Sequence, residues 1–378
     1  MSDIILQDKI LIAKDTDLID PELVKSRYVV TLFDERKCSP CSNRPFRLND
    51  ICKSCPAFQG TYNFAASRTV KDREYHAVPL ADIQFIKNAV KGKSFLAVNE
   101  TRRPPMRHPL TFTGKLFGPN AVDADGNPRA DQEVLVAQWM KEKNGIIQAA
   151  ARSGKTVLAV NIACTLGLRT VVIAHQIELL QQFYATFVGG ESRKAMTDAA
   201  AIAKRTGTPT VKIADSIDDL TDRSIDVLLI NPQKMQRHLD RLTELVKGQW
   251  GLLIADEIHQ TFAAVYSQVI NAFDAPYRLG LSATPERKDG RDRLAEFLVG
   301  PVTAKSQIMT LKPLICARMV DATPSTQYKT WNGAQQWAAD NPERNKQIIA
   351  AVFDDLAEGH TSIIVPVAYV RHVELLTR

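Results

Sequence analysis

The segment AAARSGKT, residues 149–156, connects a short apolar run (Gly145 to Gln148) to a helical pattern. This order of strand, loop and helix is the context that a phosphate-binding loop requires. Backbone N–H groups would surround the phosphates, and Gly154 lets the backbone come close to them. Lys155 would neutralise charge on the β- and γ-phosphates, and the Thr156 hydroxyl would hold Mg²⁺. The segment therefore predicts a site for a nucleoside triphosphate with magnesium.

Two acidic residues, Asp256 and Glu257, directly follow the apolar run Leu252 to Ala255. That run is too short and too continuously apolar for an amphipathic helix, so it predicts a strand buried on both faces. Open α/β sheets bind ligands outside the carboxyl ends of their parallel strands. Asp256 is therefore expected to meet Lys155 and Thr156 at one metal–nucleotide complex, with Glu257 placed to polarise the attacking water.

Helical and strand patterns alternate from Ala130 onward, with a helix through Trp139 and a strand from Thr170 to Ala174. Such alternation predicts an α/β domain with a parallel, doubly wound sheet. A third motif, Ser282-Ala283-Thr284, follows the apolar run Leu279 to Leu281, which we interpret as another strand.

In their order and spacing the three motifs resemble those of superfamily 2 helicases of the DExH kind, especially phage-type DNA helicases and branch-migration motors. The resemblance covers roughly Thr111 to the C-terminus. It implies a RecA-like P-loop NTPase lobe in which Lys155, Asp256 and Glu257 carry ATP hydrolysis. It also implies residues that couple the nucleotide state to nucleic acid, with simple capping as the alternative role: His259, Ser282 and Thr284.

Three further segments are similar to motifs of the same family. Residues 129–132 resemble the motif that reads adenine, and the segments 170–182 and 227–233 resemble motifs that grip a nucleic-acid strand. The resemblance thus implies adenine contacts from Gln132 and Arg129. It implies strand contacts, with a solvated loop as the alternative, from Gln176, Gln233 and Arg287.

The phosphate loop departs from the family pattern at two positions. Ala149 stands where the general P-loop pattern begins with glycine, which superfamily 2 members tolerate. Arg152 stands where the family usually has glycine, and it would either alter the loop geometry or add positive charge near the phosphates. The predicted nucleotide contacts within the loop are Arg152, Ser153, Gly154, Lys155 and Thr156.

The chain divides into three predicted parts. Residues 1–110 form an accessory region that contains a four-cysteine unit (38–55), and residues 111–310 form the first RecA-like lobe. Residues 311–378 form a linker and the incomplete start of a second RecA-like lobe.

The assignment of the second lobe rests on a resemblance over residues 341–376, where Arg344, Asn345 and His372 occupy familiar places and a strand is expected from Ser362 to Val367. No segment resembles the late family motifs that furnish arginine fingers. Such an arginine is worth on the order of a thousandfold in rate. The isolated chain is therefore expected to hydrolyse ATP poorly.

Two Cys-x-x-Cys pairs lie ten residues apart near the N-terminus: Cys38, Cys41, Cys52 and Cys55. They can offer four thiolates to one tetrahedral ion, and zinc is the predicted metal. Reduced thiols, a disulfide pair and an iron–sulfur cluster are the alternatives. A unit of this size usually folds a segment that lacks its own core. Contact with nucleic acid and a purely structural role are both open.

Bulk composition is ordinary for a soluble globular protein, with 45% apolar and 24% charged residues. Neither a membrane-spanning stretch nor a signal-peptide pattern occurs in the sequence, so we expect no membrane association and a cytoplasmic location, the host cytoplasm if the chain is phage-encoded. The net charge is +6, and the segment Lys87 to Lys115 carries seven Lys or Arg residues against Glu100 alone. This segment could track a phosphate backbone or form a solvated loop.

These patterns predict an ATP- and Mg²⁺-dependent helicase or translocase that acts on nucleic acid, with DNA favoured over RNA. The preference for DNA rests on the family resemblance, because no residue is identified as reading a base of the substrate. Two alternatives are an RNA helicase and a zinc-containing nucleic-acid-binding protein that binds nucleotide without turnover. The sequence predicts no particular protein partner.

Overall fold

The computed structural model describes residues 4–6, 10–16, 18–33, 58–63, 66–79, 85–86, 89–90, 98–100, 108–122, 129–191, 193–258, 264–284, 292–306, 330–359 and 363–377. The chain forms two compact units, Met1–Thr310 and Leu311–Arg378. Among the described residues, no helix is both long and apolar enough to cross a lipid bilayer.

The strands are β1 (Ile4–Leu6), β2 (Ile10–Ala13), β3 (Val29–Phe33), β4 (Phe58–Asn63), β5 (Ala66–Val70), β6 (Arg73–Val78), β7 (Val98–Glu100), β8 (Asn144–Gln148), β9 (Thr170–Ile173), β10 (Val211–Ile213), β11 (Val227–Ile230), β12 (Leu252–Ala255), β13 (Tyr277–Ser282) and β14 (Val302–Lys305). The α-helices are α1 (Pro21–Arg27), α2 (Gln132–Glu142), α3 (Lys155–Leu166), α4 (Ile177–Val188), α5 (Ala199–Thr206), α6 (Pro232–Met235), α7 (Leu239–Val246), α8 (Ala264–Ala272), α9 (Asp292–Val299), α10 (Trp331–Asp340), α11 (Pro342–Ala357) and α12 (Val370–Thr377).

A seven-stranded sheet forms the centre of the first unit, in the order β10-β11-β9-β12-β13-β8-β14. Every neighbouring pair of strands is parallel, so all carboxyl ends lie at one edge. Strands β9, β11 and β12 are buried throughout, as expected for a parallel sheet covered on both faces. The predicted α/β class with a parallel sheet is confirmed.

Alternate residues of the central strands enter two separate cores. On one face, Val172 and Ile254 pack with Trp139 and Leu158 from α2 and α3. On the other face, Val171 and Leu253 belong to a core that α7, α8 and α9 complete. The two-residue period of the strands thus explains why continuous apolar runs mark this sheet.

A second sheet, in the order β5-β6-β2-β1-β7, forms most of what we call the N-terminal module, together with α1 and residues 85, 86, 89 and 90. Its strands are antiparallel except for the parallel pair β1 and β7. Alternation again separates the two faces, because Ile10 and Ile12 join one apolar cluster while Leu11 and Ala13 join another. Strands β3 and β4 form a separate antiparallel pair.

The second unit contains α10, α11 and α12. Asn341 caps α11 by accepting a hydrogen bond from the Arg344 N–H at 2.9 Å, and buried Asn345 lies 3.0 Å from His372 Nε2 through its Oδ1. The strand predicted from Ser362 to Val367 is wrong over its described residues, 363–367. A strand needs a hydrogen-bonded neighbour, and the described part of this unit provides no other strand; Ile364 is accordingly 83% exposed.

Candidate nucleotide site and nucleic-acid edge

The carboxyl ends of β8, β12 and β13 bring the three predicted motifs together. Ser282 of β13 lies opposite Gln148 of β8, and the Ala149 N–H donates to the Ser282 carbonyl at 2.9 Å. On the other side, β12 pairs with β13 so that Ala255 lies opposite Gly280. The phosphate loop, the acidic pair and the Ser-Ala-Thr motif therefore leave the sheet side by side.

The phosphate loop has the form of an anion cradle. Arg152 and Gly154 have φ angles of 64° and 82°, and α3 begins at Lys155 with no side-chain cap. Its first N–H groups and the positive end of its dipole are thus available to an anion. A Cβ on Gly154 would lie 2.4 Å from Gln132 Nε2, so the close approach requires glycine. The Ser153 Oγ is buried without a hydrogen-bond partner among the described residues, which suits a polar ligand.

Lys155 already lies beside the acidic pair. Its Nζ donates to the carbonyls of Ala149 at 3.2 Å and Ala150 at 3.5 Å, and it lies 3.7 Å from Glu257 Oε1. The side chain is only 11% exposed. Phosphate oxygens would form shorter, charge-assisted bonds with this ammonium than the two neutral carbonyls do. The loop therefore fits a triphosphate at this position.

Asp256 is a buried carboxyl, 6% exposed. Its pKa is raised to about 6, mainly by burial and also by the neighbouring Glu257 charge. The Glu257 N–H, which donates at 3.0 Å, and the Lys155 charge oppose this rise. A carboxylate in this position gains much from a divalent cation, because the cation offsets the cost of burying the charge. Glu257 itself has a φ of 47°, which is uncommon for a residue other than glycine.

Tyr266 supports the acidic pair, and the sequence did not reveal it. Its buried hydroxyl lies 2.8 Å from the Asp256 carbonyl and 3.0 Å from the Ile173 carbonyl. Tyr266 lies in α8, and its hydroxyl thereby links the carboxyl ends of β9 and β12. A tyrosine in an apolar helical pattern is typical of a core, and only the fold shows what its hydroxyl contacts.

Ser282, the first residue of the Ser-Ala-Thr motif, lies directly beside the phosphate loop. Ser282 is fully buried, and its Oγ accepts a hydrogen bond from the Thr284 N–H at 3.1 Å. Ser282 therefore shapes the turn that follows β13. Thr284 is exposed, while His259 lies outside the described residues. Coupling stays a prediction for all three.

Gln132, predicted to read adenine, braces the phosphate loop. It is 1% exposed, its Oε1 accepts from the Phe117 N–H at 3.0 Å, and its Nε2 donates to the Ser153 carbonyl at 2.9 Å. The Arg129 guanidinium lies 5.3 Å from the centroid of the Phe117 ring. The adenine contacts of Gln132 and Arg129 stay predictions, and the brace is a role that the motif alone did not indicate.

Two of the predicted strand-contacting residues lie exposed at the same sheet edge. Gln176 precedes α4, and Gln233 lies in α6. Asn231 connects the two segments, because its side chain donates to the His175 carbonyl at 3.0 Å and accepts from the Gln233 N–H at 2.9 Å. The ends of β10 and β11 also border a groove of about 520 Å³, whose polar lining residues are Asp215, Ser216, Gln233, Lys234, Arg237 and His238.

Several predicted residues lie outside the described part of the chain. These are Cys38, Cys41, Cys52, Cys55, His259 and Arg287, together with every Lys and Arg of the basic segment except Lys115. The zinc unit and the strand contact of Arg287 therefore stay predictions. Within the described residues, no group of three or more His, Cys, Asp or Glu side chains could hold a metal ion.

Comparison with known proteins supports the helicase resemblance over part of the chain. Residues 125–287 match the family described as type III restriction enzyme, res subunit. The DNA 3'-5' translocase XPB2 of Sulfurisphaera tokodaii is 29% identical over 48% of this chain and 36% of its own length. The general transcription and DNA repair factor IIH helicase/translocase subunit XPB of Danio rerio is 27% identical over 46% of this chain and 21% of its own length.

The match thus spans about a third or less of the length of these curated relatives. Among solved structures, the UvsW helicase from bacteriophage T4 is 13% identical and aligns over 80% of this chain and 99% of that chain, with a TM-score of 0.46. The three motifs, which converge at one edge of the sheet, all lie within the matched segment 125–287. Over residues 125–287 the chain therefore resembles the type III restriction enzyme, res subunit family and the XPB-type helicase/translocases.

Proposed function

We propose that this chain binds ATP with Mg²⁺ at the carboxyl edge of its seven-stranded sheet and uses ATP hydrolysis to move along or separate strands of DNA. The observation that carries the proposal is the 3.7 Å separation between Lys155 Nζ and Glu257 Oε1, beside buried Asp256. A phosphate-binding loop and an acidic strand end are chemically useful together only when they face one ligand.

Each residue of the site has a distinct part in this proposal. Thr156 and Asp256 would hold Mg²⁺, which when bound neutralises charge on the phosphates. Lys155 would exchange the carbonyls of Ala149 and Ala150 for phosphate oxygens. Glu257 would orient the attacking water and accept its proton, because its carboxylate lies beside the phosphate-binding ammonium.

The choice of DNA rests on the relatives, whose names describe a DNA translocase and a DNA repair helicase/translocase. The groove beside Gln233 lies at the same edge as the nucleotide. Its lining carries Lys234 and Arg237 against the single acidic residue Asp215, which supports a path for a polyanion there. Strand contacts by Gln176, Gln233 and Arg287 belong to this proposal.

Steady-state ATP hydrolysis tests the proposal. The full chain would be assayed without nucleic acid and with single-stranded, duplex and forked DNA, and with RNA of equal length. We expect stimulation by DNA that is lost in Lys155→Ala and Glu257→Gln. Lys212→Ala is the matched control. Lys212 lies in β10 and pairs with Asp219 at 2.8 Å, and its replacement should leave the rate of ATP hydrolysis unchanged.

The other outcomes are equally informative. Stimulation by RNA alone would replace DNA with RNA as the substrate. Nucleotide binding with no turnover under any of these conditions would favour the binding protein over the motor. Equal turnover in the native chain and in Lys155→Ala would contradict the site itself.

A further inference from the structure

Helix α9 belongs to two apolar cores at once. Leu294, Ala295, Leu298 and Val299 pack into the core on the face of the seven-stranded sheet that carries Ile146 and Val171. Phe297, on another side of the helix, packs with Ile12, Val24, Tyr28 and Val78 of the N-terminal module. The helix is thus the described element that joins the two cores.

Phe297 makes specific contacts with the module. It is 2% exposed, and the centroid of its ring lies 5.3 Å from that of Tyr28, which is itself fully buried. The Arg27 guanidinium lies 3.8 Å from the ring centroid of Phe85 and 5.8 Å from that of Phe297. A buried aromatic pair and a cation over the rings fix one orientation better than aliphatic contacts do.

The same helix is tied at two points to β13, the strand that ends in the Ser-Ala-Thr motif. The Arg278 guanidinium donates to the Leu298 carbonyl at 2.9 Å. Two residues further along β13, a Cβ on Gly280 would lie 2.8 Å from Val299 Cγ2, so the helix lies directly against the strand there. Ser282 follows after two more residues.

From these contacts we infer that Phe297 is a positioning residue: it fixes the N-terminal module to the β13–α9 pair, so that the module moves as one body with the Ser282-Ala283-Thr284 motif. A change at the nucleotide site that displaces this motif is then transmitted to the module, and restraint of the module restrains the motif in return. The inference rests on the proposed nucleotide site, and it assigns the N-terminal module a part in coupling.

Hydrogen exchange on the full chain, with Mg²⁺ and a non-hydrolysable ATP analogue, tests the inference. In the native chain we expect the nucleotide to slow exchange in residues 149–156 and also in β2 and β6 of the module. In Phe297→Ala the slowing in 149–156 persists, and the slowing in β2 and β6 is lost. Leu11→Ala is the matched control, because Leu11 is buried on the opposite face of the same sheet, so its truncation weakens the module without touching α9.

Phe297→Leu and Arg27→Gln give the same test should Phe297→Ala fail to fold. Phe297→Leu keeps an apolar side chain without the ring, and Arg27→Gln removes the cation over the rings. The DNA-stimulated kcat should fall in these variants with little change in KM for ATP, whereas Leu11→Ala should keep the native kcat. The inference would be overturned if the nucleotide slowed hydrogen exchange in residues 149–156 of the native chain but not in β2 and β6. It would also be overturned if β2 and β6 responded equally in all variants. Absence of any response at 149–156 in the native chain would instead overturn the nucleotide site.

Discussion

The two edges of the seven-stranded sheet use charge in opposite ways. At the amino edge, Arg169 precedes β9 and Arg278 lies near the start of β13, and both are buried with their guanidinium groups donating to backbone carbonyls. Burial lowers each arginine pKa to about 10, so both stay charged at neutral pH. Arg169 also lies 4.0 Å from the ring of Trp250.

At the carboxyl edge the charged groups surround the phosphate-binding loop. Asp256 is buried with a raised pKa, the Ser153 Oγ has no partner among the described residues, and Arg152 and Glu257 have positive φ angles. Strained backbone and poorly paired buried polar groups are concentrated at functional sites. The two buried arginines of the amino edge thus stabilise the fold through backbone carbonyls, whereas Lys155 and Asp256 at the carboxyl edge lie beside the phosphate-binding loop.

The largest expected effect is on turnover at the carboxyl edge. Glu257→Gln removes the group that accepts a proton from water, so ATP hydrolysis should fall by about 10²–10⁴-fold. The thermal stability should change little, since the amide keeps the size of the side chain. A steady-state ATPase assay with a parallel melting curve checks both expectations, and a variant that loses stability but keeps its rate would contradict the division between the edges.

At the amino edge the largest effect should be on stability. Arg278→Met leaves the carbonyls of Phe273 and Leu298, among others, without their donor, which should cost about 2–4 kcal/mol in the free energy of unfolding. Chemical denaturation measures this loss. Well below the melting temperature the folded fraction should still bind nucleotide, and a variant of native stability would show that the buried arginine contributes nothing.

Asp226 and Asp256 make a matched pair for pH dependence, because burial is the main cause that raises the pKa of each to about 6. A carboxyl whose folded pKa lies above its unfolded value contributes stability that is complete below pH 3.8 and is lost as the pH rises through 6. Asp226→Asn should therefore stabilise the fold by about 1–2 kcal/mol at pH 8, after allowance for solvent screening, and have no such effect at pH 3.5.

Urea denaturation at the two pH values measures the effect of Asp226→Asn. Nucleotide binding should be unchanged in this variant, because Asp226 precedes β11 at the amino edge. The matched change Asp256→Asn should abolish Mg²⁺-dependent nucleotide binding. Equal loss of binding in both variants would remove the distinction between the edges.

The smallest expected effect concerns Arg152. Glycine adopts its φ of 64° without strain, so Arg152→Gly should raise the stability by about 1 kcal/mol while lowering nucleotide affinity several-fold through the loss of a positive charge. Melting curves check the predicted rise in stability, and nucleotide titrations check the predicted fall in affinity. Greater stability with undiminished affinity would assign the arginine to loop geometry alone.

Local sequence patterns predicted most of the strands around the nucleotide site. The run Leu252 to Ala255 coincides with β12, and β9 is one residue shorter than the strand predicted from Thr170 to Ala174. The convergence of Lys155 and Asp256 followed from one rule about parallel sheets. These features depend on short-range patterns that tertiary structure did not override.

Residues that act through distant contacts were not predictable in the same way. The partners of Arg278 lie in α8, α9 and the segment between α8 and β13, and Tyr266 reaches the ends of β9 and β12. No spacing in the sequence encodes such contacts. The strand predicted from Ser362 to Val367 failed for a related reason, because a strand depends on a neighbour that its own residues do not specify.

Calorimetric titration of the full chain with a non-hydrolysable ATP analogue, with and without Mg²⁺, tests the central claim most directly. We expect binding that requires Mg²⁺, is lost in Lys155→Ala and Asp256→Asn, and is retained in Lys212→Ala. Binding of equal strength in the native chain and in Lys155→Ala, or no binding to the native chain at all, would contradict it.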